Sequence, residues 1–403
     1  MKRIGIIGGG QLGLLLAMSI KKLGAEVLIY DPDPQAPACL SFPSINADWQ
    51  NKEALADFLS KCHIATYEFE NISYETLAAL NHATQIIPSI DVLRITQNRA
   101  NEKEFLRSNN LPHVPYIKAN NISELKTQIT ELQFPVILKS TTGGYDGKSQ
   151  MLFKTKNEFE NALVKPNNSQ LSIFPLIAEQ AIDLYMEVSC ITASSLHQEQ
   201  IVFPVFENVH RQHILETTIV PANISPAVSS AIQKLARTAT DKLKVQGLLC
   251  TEFFISRQNK DKNIKSASNV DGFNICINEF APRPHNSGHI TMLSCDLSQF
   301  DILAHILLDM PIPEPVLPAN SYFCMLNLLG DIWLAQGTQD GSKLNLSGLD
   351  TNNESFQLCL YSKKEARHGR KMGHIITKAQ TAELAKNRAL AAREKLIAAA
   401  CLK

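Results

Sequence analysis

The chain has 403 residues, 44% of them hydrophobic, with 39 Lys and Arg balanced by 39 Asp and Glu. That length exceeds what one hydrophobic core usually serves, and the ordinary apolar fraction excludes wholesale disorder. The zero charge balance argues against a nucleic-acid or membrane-surface partner held by long-range attraction, and leaves local basic pockets for small phosphorylated molecules.

Nine cysteines with no pair at C-x-x-C spacing point to reduced thiols in a cytoplasmic protein and away from a zinc site. No apolar run approaches the roughly 18 residues a spanning helix needs. The N-terminal hundred residues alternate strand and helix patterns. Arg3 to Ile7 reads as a buried strand, Gln11 to Lys22 as a helix, and Glu26 to Tyr30 as a strand ending at Asp31. Ile64 to Phe69 and Ile86-Ile87 read as further strands. Strands separated by helices imply a parallel, doubly wound sheet. Gly8 to Gly13 fits G-x-G-x-x-G, and Asp31 lies 18 residues after Gly13. Three readings stand open there: NAD, another phosphate ligand at a helix N-terminus, or a plain turn.

From Asn98 the character changes. Arg99 to Ser108 is a charged helix, Leu111 to Pro115 an extended linker, and Pro135 to Lys139 an apolar strand. Then come Met151 to Phe153, a helix near Asn157 to Val164, and strands at Leu176 to Glu179, Glu187 to Thr192, Gln200 to Phe206 and Leu249 to Ser256. The lysine-rich stretch Gln258 to Asp271 reads as a solvated hairpin tip or disordered insertion, with Phe273 to Phe280 as the partner strand. After the rigid connector Pro311 to Pro315, short strands lead to an alanine-rich helix from about Thr381 to Ala400.

Several stretches carry chemistry. Lys139 ends a strand and the glycine-rich loop Thr141 to Lys148 follows, so backbone N–H groups and a lysine could meet a polyphosphate; an ordinary hairpin is the plain alternative. Glu179 to Ile182 could offer backbone groups to an adenine edge and Glu187 a carboxylate to a ribose, although a surface strand has the same look. Glu252 and Asn278-Glu279 put carboxylates inside apolar strands, which is costly unless Mg²⁺ or separate ion pairs compensate them. Arg283, His285 and Asn286 in a constrained loop suit a small oxyanion, while His289 reads as a structural partner more readily than as a base. Arg367 to His374 is either a phosphate-binding loop or a solvated basic turn.

In this order the segments resemble the 5-(carboxyamino)imidazole ribonucleotide synthetase family of the ATP-grasp superfamily. The matching strings are Gly8 to Gly13 with Gln11-Leu12, Thr66 to Asn71, Gln97-Asn98-Arg99 with Lys103, and Gly143 to Gln150. They continue through Glu179-Gln180, Glu207 to His210, Glu252, Asn278 to His289 and Arg370 to His374. The resemblance implies a Rossmann-like substrate domain over residues 1–98, an ATP-grasp domain over 99–310 with a lid at about 140–182, and a small mixed β/α domain over 311–403. The fold class it implies is α/β and α+β.

Carried over by position, the resemblance puts ATP against Arg99, Lys139, Gly144, Tyr145, Asp146, Gly147, Lys148, Ser149, Gln150, Glu179, Gln180, Ala181, Ile182, Glu187, Asn278 and Glu279. It gives Mg²⁺ to Glu252 and Glu279. Aminoimidazole ribonucleotide would meet Gln11, Leu12, Glu70, Tyr145, Asp146, Arg370 and Lys371; Arg283, His285, Asn286 and Lys363 would be catalytic, the first three receiving bicarbonate. A cytoplasmic homodimer is implied as well. The chain departs from the family at Leu14-Leu15, where Arg-Met is usual, at Ser149 in the loop, and at His368 in place of a proline. The rival readings are a formate-dependent glycinamide ribonucleotide transformylase, a biotin carboxylase, a catalytically dead ATP-binding regulator and an NAD-dependent oxidoreductase.

Overall fold

A computed structural model describes residues 1–80, 83–143, 150–164, 174–258, 260–261, 264, 267–350 and 353–399. The N-terminal elements are β1 (Arg3–Ile7), α1 (Gln11–Lys22), β2 (Glu26–Tyr30), β3 (Ser44–Ile45), α2 (Lys52–Ser60), β4 (Ile64–Tyr67), α3 (Tyr74–Ala78), β5 (Gln85–Ile87) and α4 (Ile90–Thr96). The strands form a parallel sheet in the order β3-β2-β1-β4-β5. Ligands of such sheets bind outside the strands' carboxyl ends, where the order reverses. Here that crevice lies between the turn after β1, at Gly8 to Gly13, and the segment after β4, at Glu68 to Asn71. The turn is tight: Gly8 has φ 111°, and a Cβ on Gly13 would fall 2.3 Å from the Gly8 carbonyl oxygen. Only glycine fits that approach.

Helix α5 (Arg99–Ser108), capped by the Asn98 side chain on the Ala100 and Asn101 N–H groups, leads into a small antiparallel sheet. Its elements are β6 (Tyr116–Ala119), α6 (Ile122–Gln128), β7 (Val136–Ser140), β8 (Gln150–Phe153), α7 (Lys156–Val164) and β9 (Leu176–Gln180), with strand order β6-β9-β7-β8. Val136, Leu138, Phe153, Leu176 and Ala178 face one core with Leu125 and Phe159, which explains the apolar runs in the sequence.

A large antiparallel sheet follows. Its elements are β10 (Leu184–Ser194), β11 (Gln200–Val202), β12 (Phe206–Arg211), β13 (Ile214–Val220), α8 (Pro226–Leu243), β14 (Gly247–Arg257), β15 (Ser268–Val270) and β16 (Phe273–Ala281), then α9 (Thr291–Ser294) and α10 (Gln299–Leu308). The C-terminal elements β17 (Tyr322–Leu329), α11 (Gly330–Ala335), β18 (Phe356–Leu360), β19 (Lys371–Ala379) and α12 (Ala382–Ala398) complete the chain. The order β15-β16-β14-β10-β12-β13-β17-β19-β18 makes the C-terminal strands a direct continuation of this sheet through the β13–β17 ladder. One core runs from Ile4, Leu15 and Leu16 through Phe300 and Leu303 to Ile376, so α1 and α10 bind the three regions together. Among the described residues no single helix is long and apolar enough to cross a membrane.

Two expectations need correction. The strand read over Gln200 to Phe206 is two strands, β11 and β12; Pro204, with no N–H to give a ladder, lies in the gap. Gln258 to Asp271 does join the antiparallel partners β14 and β16 as a hairpin connection, but it is not only a solvated tip. It contains β15, and Asp271 and Gly272, with φ 50° and 78°, make the tight turn into β16. Ile264 is buried against Val114 and Cys276.

Candidate active site

A cavity of about 660 Å³ opens where the three regions meet. It is lined by Gln11, Leu12 and Glu70 from the parallel sheet's crevice; by Arg99, Lys139, Gln150, Glu179, Gln180, Ala181 and Ile182 from α5 and the small sheet; and by Glu187, Glu252, Asn278, Glu279, Arg283, His285, Asn286 and Lys371 from the large sheet and its loops. Residues that lie as far as 360 apart in sequence, Gln11 and Lys371, thus share one cleft. The expected lid residues Gly144, Tyr145, Asp146, Gly147, Lys148 and Ser149 lie outside the described residues.

The two strand carboxylates converge. Glu252 on β14 and Glu279 on β16 are direct cross-strand partners, and a β-bulge follows at once, since Phe253 pairs with Ile277 and Asn278 is left over. Side chains so placed stand roughly 5 Å apart at Cβ. Glu279 is open to the cleft, yet the protein packed around it and the Glu252 charge push it up to about 7. Burial would raise Glu252 too, but His285, whose Nε2 is 3.0 Å from Glu252 Oε1, and the charges of His210 and Arg283 hold it below the usual range. Two carboxyls side by side in a cleft, one of them hindered from ionising by the other's charge, form a donor set suited to a hard dication, which would let both ionise.

Lys139 is anchored. Its Nζ donates to Glu179 Oε2 at 2.6 Å, and Lys103 Nζ lies 3.4 Å from the other carboxylate oxygen, all three groups being buried. Burial opposes ionisation of Glu179, yet the two lysines bring it down to about 2. Arg99 donates to the Ser140 and Gly143 carbonyls, so α5's first turn is fastened to the end of β7, where the glycine-rich loop begins. Glu187, expected at a ribose, pairs with His210, whose Nδ1 is 2.5 Å from Glu187 Oε2. Burial would lower His210, but Glu187 and Glu252 hold it above its ordinary value.

Of Arg283, His285 and Asn286, expected to receive an oxyanion, two are fixed and one is open. Arg283 pairs with Glu70, and His285 accepts or donates at Ser287 Oγ at 2.8 Å besides meeting Glu252. The Asn286 amide is buried, lines the cavity, and has neither its oxygen nor its nitrogen hydrogen-bonded. A buried amide without partners is costly, and a ligand in the cleft would supply them. His289, by contrast, is wholly buried, stacks on His374 and Phe300, and is held well below its ordinary pKa by burial. It is a core imidazole.

Residues 1–97 match the ribonucleotide synthetase preATP-grasp domain, 104–300 the ATP-grasp domain, and 324–388 the phosphoribosylaminoimidazole carboxylase C-terminal domain. The N5-carboxyaminoimidazole ribonucleotide synthase of Bacillus subtilis (strain 168) is 34% identical over 374 residues, 92% of this chain and 90% of that protein. The chain belongs to the N5-carboxyaminoimidazole ribonucleotide synthase family. The synthase of Staphylococcus haemolyticus is 36% identical over 382 residues, 92% of this chain and 91% of its own. Among solved structures, the Staphylococcus aureus synthetase complexed with ADP superposes with TM-score 0.82 at 30% identity, covering 97% of both chains. The Aspergillus clavatus synthase in complex with ADP and 5-aminoimidazole ribonucleotide gives 0.80 at 29% identity, covering 100% of this chain and 99% of that one.

Against this family background the N-terminal glycine turn makes sense. Gly9 N–H donates to Asp31 and Gly10 N–H to Glu68, at 2.7 and 2.6 Å, so two donors a dinucleotide pyrophosphate would need are held by carboxylates. Burial pushes Glu68 up to about 7. Lys363 Nζ donates to the Lys371 carbonyl, and burial with the Arg370 charge lowers it to about 7. Arg370 and Lys363 are not on the cavity wall that holds Lys371, although Arg370 and Lys371 both act electrostatically on Lys363. Leu14 and Leu15, where the family usually has Arg-Met, are buried in the core. His368 pairs with Asp331 at 2.7 Å.

The sequence reading did not single out Glu68, Asn208 or His210 as site residues, yet all three line the cavity. Glu68 and His210 each stand within a stretch that matched the family, but a strand-end glutamate and a lone histidine carry no signal until their partners Gly10 and Glu187 are known.

Proposed function

We propose that this chain carboxylates 5-aminoimidazole ribonucleotide with bicarbonate and ATP, giving N5-carboxyaminoimidazole ribonucleotide, ADP and phosphate in purine synthesis. The observation that carries the reading is the cross-strand pair Glu252–Glu279, set in one cleft together with Lys139 and the partnerless Asn286 amide. Glu252 and Glu279 would hold Mg²⁺, which supplies charge neutralisation for the ATP phosphates.

Each group then has a defined task. Lys139 and Arg99 neutralise phosphate charge, Glu179 to Ile182 offer backbone groups to the adenine, and Glu187 serves the ribose. Arg283, His285 and Asn286 hold bicarbonate so that one of its oxygens attacks the γ-phosphorus as ADP leaves. The resulting carboxyphosphate, or carbon dioxide released from it, is taken by the exocyclic amine of the imidazole; phosphate departs, and the nitrogen gives up a proton. Gln11, Leu12, Glu70 and Lys363 meet the nucleotide, with Arg370 and Lys371 at its phosphate end. Bicarbonate alone is a poor acceptor because hydroxide leaves badly, so stabilising charge in the phosphoryl transfer is the site's main work. Residues 1–98 and 99–310 act as substrate and ATP domains and 311–403 completes the substrate site, in a cytoplasmic homodimer.

Phosphate release from ATP, measured with and without bicarbonate and the imidazole nucleotide, tests the reading. Release that depends on the nucleotide supports it; release with glycinamide ribonucleotide and formate, or with biotin, would replace it.

A further inference from the structure

The bulge that re-aims Glu279 leaves backbone groups that neither neighbouring strand satisfies. β15 stops pairing with β16 at Ile275, and Asn278 has no partner on β14. Two adjacent side chains of α5 take up these groups. Lys103 Nζ donates to the Asn278 carbonyl at 2.9 Å, and the Phe280 N–H donates to Glu102 Oε1 at 2.6 Å. Glu279 is therefore bracketed, one residue before and one after, by contacts from a single helix turn. Both side chains are almost wholly buried, at 2% and 1% exposure, where charged groups occur only with a specific partner.

The helix is itself rigidly held. Asn98 caps it, the Arg99 N–H donates to the Thr141 carbonyl, and Phe105 packs edge-on against Phe280. Lys103 also reaches Glu179, the anchor of Lys139. One lysine thus touches both the strand of Glu279 and the strand whose carboxylate positions Lys139.

We propose that Glu102 and Lys103 are positioning residues for Glu279, holding segment 278–280 by its backbone so that Glu279 stands beside Glu252 on the cleft face of the sheet. A bulge beside an active site re-aims one side chain, and without an external hold the unpaired segment could settle into the regular ladder. In that register, shifted by one residue, Glu279 would turn to the opposite face of the sheet. The proposal rests on the reading that Glu279 holds the metal.

The test uses Mn²⁺ as probe, its affinity for the enzyme–ADP complex being measured by electron paramagnetic resonance. Glu279→Gln is the reference. Glu102→Leu and Lys103→Met are expected to weaken Mn²⁺ binding by about tenfold or more, the size usual for the outer partners of metal ligands. Glu102→Gln keeps an oxygen acceptor and restores affinity to within about threefold, and the KM for the imidazole nucleotide changes little in all three. A folded Glu102→Leu that binds Mn²⁺ like wild type, while Glu279→Gln has lost it, overturns this proposal alone. Unchanged binding in Glu279→Gln overturns the metal reading beneath it. If neither Glu102→Leu nor Lys103→Met folds, a crystal structure of the wild-type ADP–Mn²⁺ complex decides. Glu279 on the metal with both α5 contacts kept supports the proposal, and Phe280 N–H bonded elsewhere refutes it.

Discussion

His285 Nε2 lies 3.0 Å from Glu252 Oε1, which moors the Arg283 to Asn286 loop to one of the two carboxylates proposed to hold the metal. The same imidazole meets Ser287 Oγ through Nδ1, so both its nitrogens are committed and its ring plane is fixed. Removing it has two separable effects. The loop that carries Arg283 and Asn286 loses its mooring, and Glu252 loses the hydrogen bond that offsets its burial. His285→Leu should therefore lower turnover by roughly 10²-fold and raise the KM for bicarbonate. It should also raise the Mg²⁺ requirement more at acid pH than at alkaline pH, because an unsupported Glu252 takes up a proton more readily. Steady-state rates against bicarbonate and Mg²⁺ at two pH values check this; an unchanged Mg²⁺ requirement would detach the imidazole from the metal carboxylate.

Glu279→Gln removes one negative charge from the pair while keeping the side chain's shape. Turnover should fall by roughly 10²–10³-fold. The fold should survive, since Glu279 itself makes no ion pair among the described residues and borders the open cleft. Circular dichroism and ATP-dependent phosphate release read the two halves of this expectation. Wild-type turnover in the variant would remove Glu279 from the metal site.

The pH profile should be bell-shaped with both limbs near neutrality. Glu279 is raised to about 7, so below that pH it keeps its proton and cannot serve a cation; activity rises as pH climbs toward 7. Lys363 is lowered to about 7, so above that pH it is neutral and loses its hold on an anionic substrate; activity falls as pH climbs further. The two signs are opposite, and kcat/KM for the imidazole nucleotide should peak narrowly. Lys363→Arg, charged throughout, should erase the alkaline limb and leave the acid one. An alkaline limb that persists in that variant belongs to another group.

Much of the architecture could be read from the chain because its signals are local. β1, α1 and β2 match the patterned segments Arg3 to Ile7, Gln11 to Lys22 and Glu26 to Tyr30 residue for residue, since buried parallel strands and a capless amphipathic helix leave strong periodicities. Glu252 and Glu279 stood out as carboxylates inside apolar strands for an energetic reason that needs no partner to be seen. The failures are of another kind. Asp271-Gly272 is a turn signal that the lysine-rich composition around it concealed. The glycine fingerprint pointed equally to NAD because the carboxylates that occupy it, Asp31 and Glu68, sit 22 and 58 residues away from the N–H groups they accept. Glu102 was legible only as part of a charged helix and Lys103 only as part of a matching string; their buried contacts to Phe280, Asn278 and Glu179 appear only in the fold.

Glu179 offers the sharpest separation of stability from catalysis. Its carboxylate is the shared anion of Lys103 and Lys139, and these cations bring it down to about 2 from an ordinary 4.5. A depressed carboxylate stabilises the fold at every pH above its unfolded value and loses that contribution as pH falls from about 4.5 toward 2. The shift corresponds to about 3 kcal/mol, near the 3–5 kcal/mol expected for stranding a buried cation. Glu179→Leu should thus be destabilised by about 3–5 kcal/mol at neutral pH, with the gap from wild type narrowing below pH 4.5. Lys139→Met should cost only about 1–2 kcal/mol, because Lys103 remains beside the carboxylate, while ATP affinity falls steeply. Urea unfolding at several pH values, with ATP binding by calorimetry, distinguishes them. If Glu179→Leu shows the same deficit at pH 3 as at pH 7, lost packing rather than lost charge accounts for it, and the two-lysine anchor is not what sets the stability of this wall of the cleft.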